Sequence, residues 1–429
     1  MTAAQANGEA VARELDAADP LPTRRSEFHM LPYDGTYSEI AYFAGNSLGL
    51  QPRATAAILR QELDDWARLG VEGHGEAARP WVSYHENLRG TAAELMGARP
   101  TEIVVMNTLT VNLHLLMISF YRPTAERFKI IIEDDAFPSD SYAVRSQAAL
   151  HGFDPDDAIV RLAPRAGEHT LHTEDIAATI AAVGGELALV LLGGINYYTG
   201  EAIDIPAVTR AGHAAGAIVA IDLAHAAGNL ELSLHDWDVD WAAWCNYKYL
   251  NGGPGAVGGA FVHERHLANP AIPKLHGWWS TNPATRFQMA PTVDEQPSAD
   301  AWSMSNPPIM AMAPVLASYR MFAETGLANL RAKSTRLTAY LEAQLQPVMA
   351  TRPMRIITPA DPERRGAQLS VQFDAIDVGD LTARLRANHG VIADARQPDV
   401  VRLAPIPMYS TFHDCWRAAQ ALAAEVPSA

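Results

Sequence analysis

From Ile103 onward the chain alternates two kinds of hydrophobic pattern. Short unbroken apolar runs, "EIVVMN", "KIIIED", "LALVLLGGI" and "AIVAIDLAH", are separated by stretches with helical spacing, "TVNLHLLMISFY", "SYAVRSQAALHG" and "PAVTRAGHAAG". Two further runs, "AAWCNY" and "GAFVH", flank a loop that carries Lys248. A strand with no polar face is buried on both sides, so the pattern predicts an α/β fold: a mostly parallel sheet covered by helices. In such sheets ligands sit at the carboxyl ends of the strands. The polar residues that follow the strands are therefore the ones to inspect.

The flanking regions read differently. Residues 1–40 form an N-terminal arm, with helical spacing in "GEAVARELDAADPL" that stops at Pro20. "IAYFAGNSLGLQPRA" is a short strand running into a glycine turn. Thr55 to Leu69 is an amphipathic helix whose apolar face carries Ile58, Leu59, Leu63 and Trp66. With 429 residues the chain exceeds what one core usually supports. The division expected is a large domain over 41–310 and a smaller α+β domain over 311–429, where a helix-rich stretch leads to short strands such as "AQLSVQF". Leu275 to Pro308 is a long loop with weak strand signals, and loops of that length are usually functional or disordered.

Charge narrows the partners. Acidic residues outnumber basic ones 49 to 33, a formal charge of -16, which argues against nucleic acid and anionic membrane as partners. An anionic substrate would need a locally basic pocket. No run of 18 apolar residues and no secretory start is present, so a cytoplasmic location is expected. Cys245 and Cys415 each neighbour a tryptophan and form no C-x-x-C pair, as expected of reduced thiols. No H-E-x-x-H, G-x-S-x-G or Walker A motif occurs, and no metal site is expected. "GGPGAVGG" follows Lys248 and opens no helix, so it is a poor nucleotide fingerprint.

Four places could carry chemistry. Asp222 and His225 end "AIVAIDLAH"; an Asp there is most often a helix cap, but it could also pair with a protonated pyridine nitrogen. Lys248 lies between Tyr247 and Tyr249, an apolar setting suited to a lysine that must lose its proton to bond a carbonyl cofactor. Leu109 and Thr110 stand where a strand turns into a helix, a place for a phosphate, though Thr110 could be a plain N-cap. Phe137 at another strand end could stack on a flat ring or be ordinary core.

Together, "FAGNSLGLQPR", "MNTLTVNLHLLM", "AFPSDSYAVRSQ", "DLAHAAGNLELSLHDWDVDWAAWCNYKYLN", "GWWSTNPATRFQM", "SNPPI" and "VRLAPIPMYSTFHD" resemble the kynureninase family, in order from about Tyr42 to Asp414. The resemblance implies a pyridoxal-phosphate (PLP) enzyme of fold type I, with a seven-stranded large-domain sheet, usually a homodimer with active sites at the subunit interface. It makes Lys248 the lysine bonded to the cofactor, Asp222 the partner of its ring nitrogen, with His225 nearby, and Phe137 the stacking ring. Leu109, Thr110, Tyr247 and Trp278 belong to the phosphate cradle, and Asp140 and Asn306 lie near the cofactor. Arg402 becomes the clamp for the substrate α-carboxylate, a task suited to a bidentate fork. Three positions depart from the common pattern: Gly193 stands where serine is frequent, and Ser280 and Thr281 where Gly-His is common.

The implied reaction is hydrolysis of the Cβ–Cγ bond of L-kynurenine or 3-hydroxy-L-kynurenine, releasing an aromatic acid and L-alanine, with Lys248 as base and Tyr247 as candidate acid. His74, Ser305 and Asn306 resemble the set of members that favour the hydroxylated substrate. Within the fold the alternatives are a cysteine desulfurase, for which Cys245 and Cys415 look misplaced, or an aminotransferase. A non-enzymatic relative would be expected to lack Lys248, Asp222 or Arg402.

Overall fold

The computed structural model describes residues 8–428; the first seven residues of the expected N-terminal arm, and Ala429, lie outside them. In chain order the strands are β1 (Ala41–Tyr42), β2 (Ile103–Val105), β3 (Lys129–Glu133), β4 (Ile159–Leu162), β5 (Leu187–Gly193), β6 (Ile218–Asp222), β7 (Trp241–Cys245), β8 (Gly258–Val262), β9 (Met354–Ile356), β10 (Leu369–Phe373), β11 (Val391–Ile392), β12 (Asp394–Arg396) and β13 (Val400–Leu403). Seven of them make one sheet in the order β2-β8-β7-β6-β5-β3-β4. β8 is antiparallel to both its neighbours, and the remaining pairs are parallel.

The period of two explains why these strands are unbroken apolar runs. In β3, Ile131 packs into one core with Ile176, Ile180 and Val208 from helices on that face. Ile130 and Ile132 point the other way, to Leu113, Leu116 and Val144. Each such side chain, fully withdrawn from water, contributes about 1.5–3 kcal/mol. β4, one of the two edge strands, escaped the sequence reading because one face meets water: only Leu162 is fully buried and Arg161 is exposed, so its apolar run is broken.

The smaller unit is an antiparallel sheet, β12-β13-β10-β9, covered by the helices Val378–His389 and Phe412–Glu425 and part of Leu327–Met349. Its core gathers Leu341, Val371, Leu381, Val401 and Leu422. The expected opening of this unit at Ala311 falls inside the helix Ile309–Thr325. That helix buries Met312, Val315, Tyr319 and Phe322 in the large core. The change of core occurs in the next helix, between Leu330 and Leu337.

The helix Ala54–Leu69 forms as expected, with a different face inward. Its buried residues are Thr55, Ile58, Glu62 and Asp65, while Leu63 and Trp66 are exposed, Trp66 by 60%. The buried carboxylates are satisfied, which is what permits their burial. Glu62 accepts from Arg79, Trp81 Nε1 and Tyr84 OH. Asp65 accepts from Ala78 N and Arg68. The Leu275–Pro308 segment holds three short 3₁₀ turns and one bridge, Thr281 to Glu295. Among the described residues no helix is long and apolar enough to cross a membrane.

Candidate active site

The loop between β7 and β8 presents Lys248 and is held by the Asn246 side chain and by close backbone contacts at glycines. Asn246 Nδ2 donates to Val257 O at 2.7 Å, and Asn246 Oδ1 accepts from Trp244 Nε1 and Tyr319 OH. Gly252 N donates to Asn246 O at 2.7 Å. Gly49, in the turn after β1, lets Gly49 N reach Tyr247 O at 2.8 Å. A Cβ on Gly49 would lie 2.5 Å from Lys248 O, so glycine is required there by close approach.

Lys248 enters a cavity of about 270 Å³ at the carboxyl ends of β3, β5, β6 and β7. Its Nζ lies 3.0 Å from His225 Nε2 and about 6 Å from the ring centres of Phe137 and Tyr247. Burial, reinforced by the Lys248 charge, pushes the His225 imidazole well below its usual range, so it faces Lys248 as a neutral ring. His225 Nδ1 has no partner. Desolvation also pushes the Tyr247 phenol up, so Tyr247 keeps its proton at neutral pH.

Asp222 is the last residue of β6, and its Oδ1 accepts from Ala224 N at 2.7 Å. Asp140, in the first turn of the helix Pro138–Leu150, is buried beside it with Oδ1 unpartnered. Glu133 closes β3 from the same side; its Oε1 accepts from Gly193 N at 3.2 Å and its Oε2 from Asn196 Nδ2 at 2.6 Å. Burial raises the proton affinity of all three carboxyls, Glu133 to about 7. Such a group of buried acids around one cavity wall suits a cationic, N–H-bearing ring edge.

Glu133 sets a pH effect on stability. An unfolded chain releases this proton near 4.5, whereas the folded one holds it to about 7. Between those values the folded state binds more protons, so Glu133 costs stability as pH rises through that window. Glu133→Gln should therefore remove part of the decline in melting temperature of the unliganded protein between those values. Parallel melting curves for the two proteins would show Glu133 ionised throughout.

The cavity also meets the N-terminus of the helix Leu109–Phe120. Its N-cap is Thr108 rather than Thr110, because Asn112 N already bonds Thr108 O. Thr110 thus sits two positions further in, in the first turn, where backbone N–H groups lack intrahelical partners and favour an anion. Thr108, Leu109 and Thr110 line the cavity. Phe137 is not core: it is 41% exposed, edge-on to Tyr197, and lines the same space.

Five expected residues do not line this cavity in one chain. Arg402 stands behind its wall, with Nη1 on the carbonyl of Tyr197, which does line it. Ser305 and Asn306 line an adjoining cavity of about 370 Å³ that shares Thr108. Trp278 is 42% exposed, with its indole on Arg286 O. His74 packs edge-on against Trp81. Sequence reasoning missed Glu133, Asn196 and Tyr197. The rule that found Asp222, an acid at the end of a buried strand, would have found Glu133 in "KIIIED". Ser280 is accounted for within its own loop, where Oγ accepts from Gly277 N and donates to Ser303 O. Thr281 forms the bridge to Glu295. At Gly193 an added Cβ would meet Ile195 O at 3.2 Å and Glu133 Oε1 at 3.5 Å, so the Glu133 carboxyl occupies the space a side chain would reach.

Comparison with known proteins places the chain in a family and a fold. Residues 330–422 match the family described as kynureninase C-terminal domain. A kynureninase of Salinispora tropica is 61% identical over 419 residues, 97% of either chain. One from Myxococcus xanthus is 54% identical over 412 residues, 96% of either chain. Among solved structures, a complex of the cystine C–S lyase C-DES with its product cysteine persulfide superposes with a TM-score of 0.77 at 18% identity, covering 90% of this chain and 98% of that one. The cysteine desulfurase CsdA of Escherichia coli gives 0.74 at 19% identity, covering 92% and 96%. A C-DES mutant with glycine covalently linked to its PLP cofactor gives 0.76 at 17% identity, covering 89% and 96%. At those identities the solved structures establish the shared fold.

Proposed function

Since the chain belongs to the kynureninase family, we propose that the Lys248 cavity is its PLP site and that Arg402 lies beside the substrate. The chain is a PLP-dependent hydrolase of fold type I that acts on a carbon–carbon bond of a ketonic amino acid. The observation that carries the site is the approach of Lys248 Nζ to a neutral His225 in a cavity shared with Asp222, Asp140, Phe137 and a free helix N-terminus.

The residues fit the cofactor. The N–H groups of Leu109 and Thr110 would hold its phosphate. Phe137 would stack on its ring, with His225 near the same ring. Asp222 would pair with the ring nitrogen, in the group of buried acids where Asp140 Oδ1 lacks a partner. When bound, PLP supplies a sink for negative charge developing on the substrate. Lys248 Nζ would bond its carbonyl carbon and, once displaced by the substrate amine, carry the α-proton as general base. Tyr247 would hold the proton returned to the β-carbon after water has cleaved the Cβ–Cγ bond. Arg402 would orient the α-carboxylate.

A homodimer is part of this reading. His74, Trp278, Ser305 and Asn306 lie off the Lys248 cavity of their own chain, and a second copy would bring the set to its partner's site, where Trp278 and Asn306 would contact the cofactor. Exposed apolar side chains support such a contact: Leu63, Trp66 and Val71 on one segment, and Trp278, Phe287 and Met289 on another. The two free, buried cysteines support a reducing, cytoplasmic compartment.

Of the two substrates, 3-hydroxy-L-kynurenine is the preferred one in this proposal. A polar set such as His74, Ser305 and Asn306 rewards a ring hydroxyl, because leaving such groups unpaired is costly. Holoenzyme offered equal L-kynurenine and 3-hydroxy-L-kynurenine should release mainly 3-hydroxyanthranilate. Mostly anthranilate would overturn the preference, and neither acid would overturn the reaction.

A further inference from the structure

Arg402 is 1% exposed and its guanidinium is already engaged. Nη1 donates to Tyr197 O at 2.8 Å, and Nη2 donates to Asp394 Oδ2. Nε has no partner. The same Asp394 oxygen accepts from Arg396 Nη2 at 3.0 Å. Two guanidiniums thus share one carboxylate oxygen. The register explains this: β12 pairs antiparallel with β13, Asp394 faces Arg402 directly, and Arg396 lies two residues on, along the same face as Asp394.

A cross-strand ion pair that merely steadies the sheet is the plain reading. Two observations point further. The pair stands behind the wall of the Lys248 cavity, because the carbonyl that takes Nη1 belongs to a residue lining it. A guanidinium so fully buried needs an anionic partner at every stage, whether or not substrate is present. An arriving carboxylate engages two adjacent N–H groups, and on Arg402 one of these, Nε, is free while the other is held by Asp394.

We propose that Asp394 is a built-in stand-in for the substrate α-carboxylate: it neutralises Arg402 when no substrate is bound, then yields Nη2 and rests on Arg396 alone. This rests on reading Arg402 as the substrate clamp. The exchange is carboxylate for carboxylate, so the charge around Arg402 is the same before and after. Asp394 therefore sets how strongly a carboxylate ligand is favoured over a plain amine. It competes with every carboxylate ligand and leaves an amine without one unopposed.

The test titrates holoenzyme with L-alanine, the product that retains the carboxylate, and separately with ethylamine, which lacks it, reading the cofactor absorbance. Asp394→Asn should tighten L-alanine about 3- to 10-fold, leave ethylamine binding where it was, and lower KM in turnover. An unchanged or weaker L-alanine Kd overturns the proposal, because an Asp394 that only orients Arg402 would weaken binding and lower kcat. Arg396→Gln guards against a folding defect in the first variant. The displaced Asp394 then has nowhere to rest, and L-alanine should bind about 3- to 10-fold more weakly; an unchanged affinity again overturns the proposal. Arg402→Gln separates the two layers. If L-alanine affinity survives it, the clamp reading itself fails. If affinity falls while the other two variants change nothing, the clamp stands and the stand-in does not.

Discussion

Lys248→Ala should lose about 10³-fold or more in turnover, since both the covalent hold on the cofactor and the proton carrier go with one side chain. The fold should survive. The loop is held by Asn246, Gly252 and Gly49, none of which uses the lysine side chain. The hydrogen bond from Lys248 itself is to His225 Nε2, and losing it leaves a neutral ring rather than a buried charge. The expected record is therefore an unchanged melting temperature, loss of the near-visible absorbance of lysine-bonded cofactor, and turnover at background. Measurable turnover would remove Lys248 from the mechanism. The same variant tests the shared site. Lys248→Ala chains refolded together with Asn306→Ala chains should recover about a quarter of wild-type activity, because random pairing makes half the dimers hybrids with one intact site each. No recovery would mean that Asn306 serves its own chain.

Asp222→Asn should separate stability from activity. Asparagine keeps the shape and can still accept from Ala224 N, but it cannot carry charge. In the unliganded protein the Asp222 carboxyl has its proton affinity raised by burial, so ionising it above its unfolded pKa costs stability. The neutral amide removes that cost, and the unliganded variant should melt at the same or a higher temperature near pH 7. Turnover should fall about 10²- to 10³-fold, since a fixed charge opposite the reacting ring is lost. A variant with normal kcat would show that Asp222 serves only the turn after β6, where it accepts from Ala224 N; no helix begins there for it to cap, as its sequence position alone would have allowed.

Much of the frame was legible because burial on both faces writes itself as unbroken apolar runs. β3, β5, β6, β7 and β8 could be read that way, and with them the strand ends that carry Asp222 and Lys248. What was not legible depended on partners distant in sequence. Glu62 and Asp65 turn inward on their helix because Arg79, Tyr84 and the Ala78 amide meet them there, and no periodicity within Thr55–Leu69 records those groups. The edge strand β4 was lost because one face meets water. The occupied state of Arg402 was hidden as well, since it follows from the register of a short hairpin. The resemblance identified which residues to assemble, and the fold shows that one chain brings together only part of them.

The two cores have a historical consequence. Lys248, Asp222 and the helix N-terminus rest on the large sheet, whereas Arg402, Asp394 and Arg396 belong to a hairpin of the small one with its own buried residues. Changes in one core need not be compensated in the other. If Arg402 is the substrate clamp proposed above, selection could alter which acid the hairpin accepts while the Lys248 platform stayed intact. That separability gives one scaffold room to be inherited by enzymes of different substrate choice.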